Sequence, residues 1–83
     1  MVYFDGIHLM ADSVDELHTA AQRCGAARAW FQDHPRHPHY DLWGRPAKVA
    51  IADTQIIQCP TRQLLRRRPR RLGGESDEQA AET

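Results

Sequence analysis

Eighty-three residues, 41% hydrophobic and 27% charged with a formal net charge of zero, suit one small domain. No apolar run is long enough to span a bilayer, and Met1-Val2-Tyr3-Phe4-Asp5 lacks the basic and apolar regions of a secretory signal, so a cytoplasmic, non-membrane protein is expected. The charge is uneven: residues 1–61 carry five Lys/Arg and seven Asp/Glu, residues 62–72 six Arg and no acid, and residues 73–83 four acids and no base. The patterned part is therefore placed at residues 1–65, followed by a basic and then acidic tail, residues 66–83, of disordered composition. A domain of this size buries only about 60% of its unfolded-chain surface, which leaves room for a metal ion or a homodimer to add stability.

In chain order, Val2-Tyr3-Phe4 and Ile7-His8-Leu9-Met10 flank Asp5-Gly6, the pattern of a β-hairpin in which Asp5 serves the turn. Ser13-Val14-Asp15-Glu16 is a capping box. The Ser13 hydroxyl can accept from the Glu16 amide, and the Glu16 carboxylate can reach back to the Ser13 amide. Val14, Leu17, Ala21 and Cys24 then recur at helical spacing, and Gly25 stands where a left-handed residue ends a helix. His18 neighbours Leu17 on that helix and can face either solvent or a site. Ala29-Trp30-Phe31-Gln32 is expected to be a strand, because paired aromatics suit a half-buried pleated surface. A loop follows, and a short helix from Pro46 through Ala47–Ala52. Gln55–Cys59 is expected as a further strand, and Thr61 as the cap of a last helix running through Leu64 and Leu65 into the arginines. The order β-β-α-β-loop-α-β-α implies an α/β (α+β) domain, a single sheet of about four strands with two to three packed helices. Cys24 and Cys59 lie far apart and outside any CxxC pair, so they read as reduced, small apolar fillers.

The segment of most chemical interest is His34-Pro35-Arg36-His37-Pro38-His39-Tyr40-Asp41, with three of the five histidines. Imidazole is a common metal ligand and a proton carrier near neutral pH. The prolines favour extended backbone before them, which puts His37, His39 and Asp41 on one side of the chain, where the three could converge on one metal ion. A neighbouring strand can bring His8 to His39, and Asp12 lies at the start of the first helix. Two imidazoles with one or two carboxylates would suit zinc, manganese or another first-row divalent ion with positions open to water or phosphate. Two other readings stay open: a metal-free polar or phosphate-binding site, and histidines that are merely structural or solvated. Asp12 is equally explained by a helix N-terminus, Trp30 and Phe31 by the core, and Gln32 by a backbone bond. Tyr40 can position a substrate or pack beside Trp43.

His8-Leu9-Met10-Ala11-Asp12, Glu16-Leu17-His18, Ala29-Trp30-Phe31-Gln32 and His39-Tyr40-Asp41, in that order and spacing, resemble the small family of bacterial and phage proteins known as domain of unknown function 4031. The likeness spans about residues 1–65. It marks His8, Asp12, His18, Trp30, Gln32, His39, Tyr40 and Asp41, and it implies a site without implying a reaction. His34 and His37 fall outside the shared pattern, and Asp53-Thr54 stands where relatives have Gly-Ala.

Arg62, Arg66, Arg67, Arg68, Arg70 and Arg71 form a basic segment that can contact nucleic-acid phosphates, or that simply solubilises the chain end. Glu75, Asp77, Glu78 and Glu82 follow and can neutralise it. Two function classes result. One is a metal-dependent hydrolase of a phosphoester such as a nucleotide or nucleic acid, with His39, Asp41, Tyr40, His8 and Asp12 as its catalytic and metal-holding residues. The other is a non-catalytic module that binds a nucleic acid or a protein partner. No nucleophile elbow and no glycine-rich phosphate loop is present.

Overall fold

The computed structural model describes residues 1–66. Strands β1 (Val2–Phe4) and β2 (His8–Ala11) form the hairpin, helix α1 spans Val14–Cys24, and β3 (Phe31–Gln32), β4 (His39–Asp41), α2 (Gly44–Ala52), β5 (Ile56–Gln58) and α3 (Thr61–Leu64) follow. The five strands make one mixed sheet in the order β3-β4-β2-β1-β5, parallel only between β1 and β5. This is the α+β architecture expected, with one more strand. Arg67, Arg68, Arg70 and Arg71, together with the tail expected to be disordered, lie outside the described residues.

Local chemistry explains the elements that the sequence announced. Asp5 Oδ1 accepts from the amides of Ile7 (2.8 Å) and His8 (2.6 Å), and Gly6 takes φ 107°, so the hairpin turns on this pair. The Ser13 hydroxyl accepts from the Glu16 amide at 3.1 Å, while the Glu16 carboxylate is engaged by the terminal ammonium at 2.6 Å. At the other end of α1, Gly25 (φ 93°) donates to the Gln22 carbonyl and Ala26 to that of Ala21, a Schellman closure that satisfies carbonyls the helix leaves over.

Four expectations need correction. Residues Arg28–Trp30 form a 3-10 turn, and only Phe31–Gln32 is strand. His39–Asp41 is a strand rather than part of a loop, because it pairs with both β2 and β3. Helix α2 begins at Gly44, with Pro46 inside its first turn, where a missing N–H costs little. Pro60, not Thr61, occupies the cap of α3, and that helix closes at Leu64 before the arginine run.

Strand alternation then sorts the side chains onto two faces. Val2, Phe4, Leu9, Ala11, Tyr40 and Ile56 face Leu17, Ala20, Ala21 and Cys24 of α1 and Ala50 of α2 in the main core. Tyr3 and Met10 point the other way and pack on Leu64 of α3, with Cys59 alongside. Burying a Phe or Leu side chain contributes about 1.5–3 kcal/mol. The fully buried Phe4, Leu9 and Leu17 therefore anchor β1 and β2 to α1, and fix which side chains remain on the opposite face.

Candidate metal centre

His8 and Met10 share the face turned away from α1, and in β4 the same face carries His39 and Asp41 while Tyr40 enters the core. Pairing of β2 with β4 sets His8 directly opposite Asp41. His8, His39 and Asp41 each offer one ligand atom, and these atoms all lie within 4.8 Å of one another. Asp41 Oδ1 is 3.3 Å from His39 Nε2 and 3.9 Å from His8 Nε2. Two ligands at 2.0–2.2 Å on a tetrahedral ion stand roughly 3.3 Å apart, so the first distance already fits and the second closes with a side-chain shift of about half an ångström.

The hydrogen bonds fix which ring nitrogens are available. His8 Nδ1 lies 2.8 Å from Asp5 Oδ2, and His39 Nδ1 lies 2.6 Å from the His37 carbonyl oxygen. Burial works against the charge of Asp5, but the Thr61 hydroxyl, the His8 amide, the His8 ring and the Ile7 amide outweigh it and hold its pKa at about 2. An ionised carboxylate and a carbonyl can only accept, so both Nδ1 atoms carry the proton and both donate. In the neutral rings the Nε2 lone pairs are thus left facing Asp41. A carboxylate or carbonyl behind the far nitrogen is the arrangement that orients histidine ligands in metal sites. Asp41 Oδ1 is itself buried and has no hydrogen-bond partner among the described residues.

Not every residue marked by the sequence joins this group. Asp12 follows the far end of β2, four residues from His8 and about 13 Å along an extended strand. There its carboxylate accepts from the Tyr3 hydroxyl (3.0 Å) and pairs with the terminal ammonium (3.2 Å). The His37 ring donates from Nε2 to the Leu65 carbonyl at 2.7 Å, so His37 meets the centre through its backbone oxygen. Tyr40 is buried on the helix side, where its hydroxyl shares a 2.8 Å hydrogen bond with His18 Nδ1. Burial of His18 and then the Arg28 charge push the imidazole below its ordinary pKa, and burial raises the Tyr40 phenol. Trp30 stacks on Trp43 with centroids 4.2 Å apart, and Gln32 is exposed with its amide on the Trp30 carbonyl at 3.4 Å. Arg62 and Arg66 are exposed.

Asp5 and Thr61 are the residues of this centre that the sequence did not mark as such. Asp-Gly announces a turn, and nothing local to it signals that one oxygen also holds a histidine. A cavity of about 140 Å³ adjoins the group, lined by His8, His39, His34 and His37 with Thr61 and the apolar Met10, Leu64 and Leu65. At about 30 Å³ per water it has room for four or five waters or one small polar group. No helix among the described residues is long and apolar enough to cross a membrane.

No curated protein and no solved structure matches the chain significantly. A family model does match, over residues 5–70, and so takes in the hairpin turn, His8, His39 and Asp41. The chain therefore belongs to the family described as "Protein of unknown function (DUF4031)".

Proposed function

We propose that His8 Nε2, His39 Nε2 and Asp41 Oδ1 hold one first-row divalent ion, and that the protein uses it as a small metal-dependent phosphoester hydrolase. The supporting observation is Asp41 Oδ1, a buried acceptor without a donor among the described residues, which faces the Nε2 atoms of two imidazoles whose Nδ1 atoms are engaged by Asp5 and by the His37 carbonyl. Such an oxygen is costly to leave unpaired, by about 1–3 kcal/mol or more for a charged group, and a cation between the three atoms removes that cost. Two imidazoles and one carboxylate suit zinc or iron better than magnesium, with manganese also accommodated. Three protein ligands leave positions for water, whose pKa falls to about 7 on zinc, and for a substrate oxygen. The adjoining cavity of about 140 Å³, lined by His34 and His37 beside His8 and His39, has the volume for a group of phosphate size.

Calorimetric titration of chelator-treated protein with zinc and with manganese, followed by assay on bis(4-nitrophenyl) phosphate, tests both parts. One ion per chain and turnover, both lost in His39→Ala, is the expected result. Binding without turnover on phosphodiester and phosphomonoester probes would keep the ion and remove the hydrolase.

A further inference from the structure

The acceptors that orient the two histidines are both held by the last helix. Asp5, whose side chain is 1% exposed, takes four donors: the amides of Ile7 and His8, the His8 ring, and the Thr61 hydroxyl. The first three come from residues 7 and 8 of the hairpin itself, whereas Thr61 reaches in from 56 residues away. On the other side, the His37 carbonyl that takes the His39 proton belongs to a residue whose ring donates to the Leu65 carbonyl just past α3. Between these two arms Leu64 is fully buried against Tyr3 and Met10. A helix of four residues has little stability of its own and stays in place through such tertiary contacts.

We propose that Thr61 is a positioning residue for the metal centre, and that α3 is a strap whose docking and the ion's binding strengthen one another. This rests on the metal centre proposed above. One chain of contacts runs Thr61–Asp5–His8 and the other Leu65–His37–His39, so undocking α3 removes one contact that steadies the outer partner of each histidine. Coupling of this kind is reciprocal: whatever factor docking adds to metal affinity, the metal adds to docking. Loss of the outer partner itself typically weakens metal affinity by about 10–100-fold, so loosening Asp5 through Thr61 is set at the lower end of that range. The strap also lines the cavity beside the centre through Thr61, Leu64 and Leu65, so its docking shapes the space a substrate would enter.

The test is zinc affinity by titration in wild type, Thr61→Val and Thr61→Ser, together with amide exchange of residues 63–66 in wild type with and without zinc. Zinc affinity about tenfold lower in Thr61→Val, restored in Thr61→Ser, with exchange slowed by zinc in wild type, is the expected result. Equal affinity in wild type and Thr61→Val, or zinc binding to wild type that leaves exchange at 63–66 unchanged, would overturn the strap and leave the metal centre standing. The second of these needs no variant to fold. Absence of zinc binding in wild type would remove the centre and the strap together.

Discussion

Asp41 Oδ1 stands 3.3 Å from His39 Nε2, and since His39 Nδ1 donates to the His37 carbonyl, the neutral form of that imidazole has no proton to give the carboxylate. Lone pair faces lone pair. In that form the pair is unfavourable, and it becomes favourable with a cation between the two atoms.

That relationship predicts an unusual mutational sign. In metal-free protein, Asp41→Asn replaces an unsatisfied carboxylate oxygen with an amide that can donate to either Nε2, worth about 1 kcal/mol. The variant should melt no lower than wild type after chelator treatment, and up to about 4–8 °C higher for a domain of this size. It should also lose the stabilisation that zinc gives wild type. A metal-free Asp41→Asn that melts several degrees lower would mean that an imidazolium–carboxylate pair holds β4 to β2.

Asp5 gives a prediction in acid. Its folded pKa of about 2 lies below the ordinary 3.8, so the native state favours the ionised form. The resulting stability, about 2 kcal/mol, is fully present above pH 3.8 and is lost as pH falls towards about 2. Asp5→Asn should be destabilised by a similar amount at neutral pH and should lose less on acidification than wild type. Urea melts across that range check it; parallel curves for the two proteins would contradict the role given to Asp5.

His18 acts in a higher window. Burial and the Arg28 charge favour its neutral form in the folded state, so the unfolded chain takes up a proton first as pH drops below the ordinary value of 6.5. Stability should therefore decline from that point downward. His18→Gln can keep the bond to the Tyr40 hydroxyl and does not titrate, so its decline should be shallower. Thermal melts from about pH 7 to about pH 5 report it directly.

What the sequence made legible was local. Asp5-Gly6 marked the hairpin, Ser13 and Glu16 the start of α1, and Gly25 its end, each through a signal contained within a few residues. Strand β4 was not legible, since His39-Tyr40-Asp41 follows two prolines and is extended by its pairing with β2 and β3, a non-local cause. The same limit governs the site. His8, His39 and Asp41 are residue types that draw notice in any order, whereas Asp5 matters through a histidine three residues on and a threonine 56 residues on. Asp12 drew notice beside His8 in the sequence, but strand geometry sends the two to opposite ends of β2.

The most direct measurement is elemental analysis of the purified, untagged chain beside His39→Ala. One equivalent of zinc, iron or manganese per chain, absent from the variant, is the predicted result. No metal in either protein, with melting unchanged when divalent ions are added, would contradict the metal centre.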